Sequence, residues 1–344
     1  MRTSRKRNNG SSKELGMFMR SQFEGKPSSR KSVWYHYPYT DRSDLHASLY
    51  THMLVEDLHL GIMPIGGKSE NADFTVRLEP ASIETEAMVS ISLPSHFGRE
   101  IDLTRAVCHF MDEAANILAY FGKAYYEIVY YYSDESRSRI EGFEFESIMK
   151  QCVFSPFGIP IQIVPLRVMQ ERKDITGPIV LLPRKELMVL SFPKELGGVA
   201  GHRRLLSQLQ WLSGSTVPAF AMEDMARQKK TQGYDFSVYK RNQNAFLARI
   251  TRRLGWTARQ LFNEESLEFY QIYRILEFEK SKALLRLHIL NQLNRSLHIV
   301  GKRMGFKAKI ILEGIPIPEG FDKSMEQLVK GELSFSEAIK LMRI

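Results

Sequence analysis

At 344 residues, 43% of them hydrophobic and 25% charged, the chain has room for roughly two domains of about 150 residues and the composition of a soluble globular protein. No apolar run reaches the ~18 residues that cross a bilayer, and the start lacks the apolar segment of a secretory signal. Two cysteines in no paired motif, Cys108 and Cys152, argue against a disulfide framework or a zinc ribbon and suit a reducing, intracellular compartment.

The net charge of +9 is concentrated at the start. Residues 1–31 carry nine basic side chains against Glu14 and Glu24, and the rest of the chain is nearly balanced. Residues 1–32 are also rich in Ser, Asn and Gly, so this arm cannot offset its ordering entropy by burial and is expected to be disordered on its own. Two readings of it stand: a sequence-independent contact to phosphate backbones, or a solubilising or tethering tail.

A helix is expected from about 43 to 60, opened by Asp/Ser capping residues and closed by Gly61. On it His52, Glu56 and His59 share one face. Two imidazoles and a carboxylate match zinc or iron in donor type, yet the set lacks the i, i+4 histidine pair of metalloproteases. A polar stripe on a surface helix explains it as well, and no metal is expected. The following segment, "NADFTVRLEPASIETEAMVSISLPS", alternates and is broken by prolines, which suggests short strands or an irregular loop.

From Leu103 the apolar residues recur at three and four (Ala106, Val107, Phe110, Met111, Ala114, Ile117, Leu118, Phe121), the pattern of a helix with one buried face, and Gly122 ends it. "GKAYYEIVYYY" is no phosphate loop, since Ile117 stands where the first glycine belongs and Ala124 where Ser or Thr belongs. It reads as a strand apolar on both faces, with Tyr126, Ile128, Tyr130 and Tyr132 on one side and Tyr125, Glu127, Val129 and Tyr131 on the other, Glu127 interrupting the aromatic run. A base-stacking platform is the alternative use of those rings. Strands are expected next in "GFEFESI", "GIPIQIVPLRV" and "PIVLLPRKELMVLSFP".

From Gly198 the chain turns helical. "GHRRLLSQLQWLSGS" and "AFAMEDMARQKKTQG" are each expected to form a helix, the second with Arg227, Lys229 and Lys230. "KRNQNAFLARITRRLGW" adds Lys240, Arg241, Arg249, Arg252 and Arg253. These clusters mark either a DNA-facing surface or solvated helix faces. Residues 264–300 form the longest helical candidate, with Ala283, Leu287, Leu290, Asn294 and Leu297 as a packing seam and Asn294 as its register-setting polar member. Such a length suits packing between subunits or a long core helix. Two small helices around Gly331 close the chain, Ser334 and Glu337 forming a capping box.

The motifs of chemistry are missing. "LSGST" lacks the second glycine of a nucleophile elbow. Cys108 lies mid-helix and Cys152 stands beside an apolar stretch with no histidine nearby in sequence, so buried structural cysteine is the default reading for both. Asp112-Glu113 and Glu264-Glu265 are adjacent and point apart on a helix. No dinucleotide fingerprint occurs, so no cofactor and no enzymatic activity are expected.

Four segments, taken in order over 100–344, resemble the portal proteins of tailed bacteriophages. "FGKAYYEIVYYY" is similar to that family's helix-to-strand corner, with Gly122, Ala124, Tyr125 and Ile128 fitting and Lys123 standing for the usual Asn. "LPRKELMVLSFPKELGG" resembles the family's acidic residue, short strand and glycine turn at Glu186–Leu190 and Gly197-Gly198, without its frequent histidine. "LHILNQLNRSL" resembles the portal helix with Leu-Asn repeats, and "LVKGELSFSEAIKLM" the segment containing Gly331 and Glu337, with Ile339 where Arg is common.

The resemblance implies an α+β portal-like fold: a disordered basic arm over 1–32, a wing/stem-like region with the strand block over 33–198, and a helical stem/wing/crown-like region over 199–344. It implies a ring of about a dozen identical subunits around a double-stranded DNA channel, with cyclic symmetry. Implied partners are the packaging terminase, the major capsid protein and a head-tail adaptor, and implied locations are the virion and, during assembly, the host cytoplasm. Arg227, Lys229, Lys230, Lys240 and Arg241 are the expected channel residues. A moving duplex favours weak, distributed phosphate contacts of that kind. The alternative from another class is a DNA-binding replication or processing protein using the arm and the 227–253 cluster.

Overall fold

The computed structural model describes residues 23, 25–33, 48–64, 74–94, 102–148, 150–171, 177–214, 236–259 and 267–341. Its class is α+β. Helix α1, Leu49–Leu60, begins later than the sequence suggests, because Ser48 is extended and its Oγ accepts the Thr51 N–H at 3.1 Å. Strand β1, Thr75–Glu79, is followed by a helix where strands or a loop were expected. This is α2, Ile83–Ser92. Ser82 caps it, Glu84 and Glu86 complement its dipole, and Ser90 and Ser92 return their hydroxyls to the carbonyls of Glu86 and Met88. Few of its apolar residues are buried, so no 3.6-residue stripe announces it.

Helix α3, Leu103–Phe121, has the expected buried stripe. Asp102 caps its start, accepting from Arg105 N at 2.8 Å, and Gly122 ends it in the left-handed region at φ 69°. Strand β2, Lys123–Tyr132, leaves that corner and runs down the middle of an antiparallel sheet between β3, Ile140–Ile148, and β7, Leu187–Ser191. Both its faces are covered, as the sequence suggests: Tyr126, Ile128 and Tyr130 join the main core, and Tyr125 packs with Ile148, Val153, Leu182 and Leu187.

A second small antiparallel sheet contains β4, Val153–Phe154, β5, Ile161–Ile163, and β6, Ile179–Leu181. The segment read as one strand through Val168 instead turns at Pro165 into a short helix, α4, Leu166–Glu171. The chain continues into α5, Gly198–Gly214, α6, Phe236–Ile250, and the 37-residue α7, Glu268–Met304, which ends at left-handed Gly305. Strand β8, Lys309–Glu313, pairs with β1, and α8, Pro318–Lys330, and α9, Phe335–Leu341, close the described chain.

One core cluster draws on residues from Leu54 to Ile315, so it runs across the 198/199 division. Within it, α7 presents Leu285, Ile289, Leu293, Leu297 and Val300, while Leu287 of the expected seam is 38% exposed. Asn294 does not set register between helices. Its side chain accepts from Ile310 N at 2.7 Å and donates to Ile310 O at 2.9 Å, holding β8 against α7. A smaller cluster joins the first half of α7 to α8 and α9 through Ile272, Leu276, Phe321, Met325, Leu328 and Ala338.

The end of the basic arm is docked. Beyond Glu127, β7 no longer covers its edge of β2, and residues 27–29 take that place: Tyr132 N donates to Pro27 O, and Ser29 N to Tyr130 O. The Glu127 carboxylate, in the buried middle of β2, then accepts the main-chain N–H groups of Lys31 and Ser32 at 2.7 and 2.8 Å. Gln162 makes both hydrogen bonds to the main chain of Val33. The sequence reading missed this because a short polar segment acquires its partners only from side chains about a hundred residues away.

Candidate functional site

The residues singled out by motif serve mainly to shape the fold. A Cβ at Gly122 would lie 3.5 Å from both Val199 and His202, so the corner is packed against the first turns of α5. Glu186 precedes β7 and binds Arg303 Nη1 at 2.7 Å, while the Arg303 guanidinium lies 4.1 Å from the Tyr130 ring centroid. This ties the end of α7 to the central strand. Gly331 ends α8 at φ 74°, and the expected capping box is present, Glu337 accepting from Ser334 N and Oγ while Ser334 Oγ accepts from Glu337 N.

The three α1 residues with metal-like spacing turn to three different partners. His52 Nδ1 meets the Tyr120 hydroxyl at 3.2 Å, Glu56 pairs with Arg259 and His59 Nδ1 lies 2.9 Å from Asp112. Among the described residues no group of three or more His, Cys, Asp or Glu could hold a metal ion. Burial, and then Asp102, pushes the Cys108 thiol up to about 11, which keeps it protonated and unreactive near neutrality.

Of the expected channel residues, Arg227, Lys229 and Lys230 lie outside the described residues. Lys240 and Arg241 fall on α6, and Arg241 is exposed. The basic sequence after α6 contains a structural anchor that its charge concealed. Trp256 is fully buried and donates its indole N–H to Asp57 of α1 at 2.8 Å, and Arg274 of α7 donates to Thr251 Oγ1 and Trp256 O, each at 2.7 Å. Aromatic size and the polar handle on its rim were the available signals for Trp256.

The second sheet has two unlike faces. Val153, Gln162 and Val180 are in register on the inner side. Phe154, Ile161, Leu181, Ile163 and Ile179 line the other, where Phe154 is 48%, Ile179 60% and Leu181 66% exposed. Phe157 and Ile159, in the turn between β4 and β5, are exposed as well.

His202 lies beneath the Gly122 corner, its Nε2–H donating to Ala119 O at 2.7 Å and its ring stacked on Phe192 with centroids 4.0 Å apart. Burial draws its pKa down from 6.5 to about 4, against the raising effect of the Ala119 bond. An unfolded chain therefore takes up this proton first as pH falls. Stability is retained above pH 6.5 and declines between pH 6.5 and 4, the loss approaching about 3 kcal/mol. Urea midpoints of the wild type and His202→Phe at pH 7, 5 and 4 should show a shallower decline in the variant. Parallel declines would contradict this assignment.

No protein-family model matches the chain, and no curated protein matches it. Among the described residues no helix is long and apolar enough to cross a membrane.

Proposed function

We propose that this chain is a portal subunit of a tailed bacteriophage, assembling with copies of itself into a ring that conducts double-stranded DNA during packaging and ejection. The observation that carries the reading is the uncovered apolar face of the second sheet. Large exposed apolar patches mark protein–protein contacts, and a ring subunit needs such a surface on its flank. The packed corner at Gly122, the Glu186–Arg303 pair leading into β7 and the capping box at Ser334 give physical form to the motifs on which the family resemblance rests. In this reading the terminase, the major capsid protein and a head-tail adaptor dock on the ring, which resides in the virion after assembly in the host cytoplasm. The subunit itself performs no chemistry.

The reading is tested by Ile179→Lys combined with Leu181→Lys. Both positions are exposed, so the monomer should keep its stability to within about 1 kcal/mol while ring assembly is lost. Assembly indistinguishable from wild type would count against this face as the subunit contact.

A further inference from the structure

Three cations from three elements gather around one phenol on the far side of the corner from the main core. Lys123 is the first residue of β2, and Tyr125, two residues on, shares its face of the sheet. Lys150 follows β3 in a single turn of 3₁₀ helix, Lys150–Cys152. Its Nζ lies 5.7 Å from the Tyr125 ring centroid and donates to Val153 O at 3.3 Å. Arg203, exposed in the second turn of α5, acts electrostatically on both Lys150 and Tyr125. The Tyr125 hydroxyl is hydrogen-bonded to Ser155.

The balance of charge here is unusual. Burial, then Arg203, then Lys123 lower the pKa of Lys150, and the opposing influence is the Cys152 thiol. Among the described residues no carboxylate figures in that field, although acidic and basic residues are nearly balanced over the body of the chain. Lys123 and Lys150 are both half-buried, which denies their charges part of the screening that solvent gives a lysine-rich surface. Such an arrangement is unfavourable when empty and becomes favourable when an anion sits among the three. An arginine fork with two ammonium groups, beside a phenol that can donate, matches the oxygens of a phosphate group.

We propose that Lys123, Lys150 and Arg203, set around Tyr125, form a phosphate-binding site. The phosphate belongs either to a nucleic-acid backbone or to a free ion, and the site does not depend on ring formation.

The test uses the full chain and the triple variant Lys123→Gln, Lys150→Gln, Arg203→Gln. Inorganic phosphate, titrated at constant ionic strength with sodium chloride, should raise the wild-type Tm towards saturation and leave the variant unmoved. Without phosphate the variant should melt at the wild-type temperature or above it, since repulsion among the cations is relieved. In a second arm, binding to a duplex of arbitrary sequence is followed against salt. If the ligand is a backbone phosphate, the slope of log K against log salt falls by about 2–3 in the variant. An unchanged slope, with phosphate raising the Tm of the wild type and not that of the variant, assigns the site to a free phosphate. The single variant Arg203→Gln, at an exposed position, repeats both arms should the triple variant fold poorly. The proposal is overturned if wild type and variant respond alike to phosphate and to salt, or if neither probe affects the wild type. Particle mass is measured on the same samples, so loss of this site and loss of the ring are distinguished.

Discussion

Replacing Gly255 with alanine should destabilise the protein by about 4 kcal/mol. Gly255 has φ 75°, and a Cβ there would lie 2.5 Å from Phe278 N, 2.6 Å from Arg274 O and 2.7 Å from Glu277 C. All three are main-chain atoms of α7, so no side-chain rotation relieves the contact. A left-handed non-glycine residue costs about 1–2 kcal/mol, and overpacking a rigid interior about 1–3 more. The same turn delivers Trp256 to its buried site and its bond to Asp57, so displacement would loosen α1 from α7 together. A lowered urea midpoint with an unchanged slope is the expected readout. Gly320→Ala is the control, because nothing lies within 4 Å of a Cβ there and a helical alanine should be neutral or slightly stabilising. A Gly255→Ala midpoint close to that of the control would contradict the packing argument.

Glu127→Leu is expected to cost about 3–4 kcal/mol and to release residues 25–33 from the sheet. Glu127 is 1% exposed and its two oxygens accept from Lys31 N and Ser32 N. Hydrogen bonds to a charged group contribute about 1.5–3 kcal/mol each, and a buried N–H left without an acceptor is driven back to water. Leucine suits the apolar surroundings but accepts nothing. Lys26, Arg30 and Lys31 are exposed on a main chain held to the sheet, so its release should let trypsin cleave the variant rapidly in this segment and the wild type slowly. Glu127→Gln, which retains one strong acceptor, should fall between them. Equal cleavage rates in wild type and Glu127→Leu would remove the carboxylate from its role as clamp.

These two residues also show where sequence reasoning stops. The α3 stripe, the Gly122 corner, the two-faced β2 and the capping box at Ser334 were legible because each is specified by residues within about four positions, or by one period repeated. Glu127 reads as an interruption in a tyrosine-rich strand until Lys31 and Ser32 are brought to it. Asn294 sits in a heptad-like seam, yet its partner is the main chain of Ile310. The spacing of His52, Glu56 and His59 placed them along one helix correctly but held no information on Tyr120, Arg259 and Asp112, which occupy them. Lys123, Lys150 and Arg203 are scattered in sequence and are gathered by the sheet and α5, so no local charge run marked them.

The central claim, that the chain assembles into a ring, is tested most directly by the particle mass of the purified protein in mass photometry, with negative-stain images of the same sample. Annular particles of about twelve copies of the 39.8 kDa chain, with cyclic symmetry, are the expected result. A stable monomer or dimer across the concentration range would contradict it.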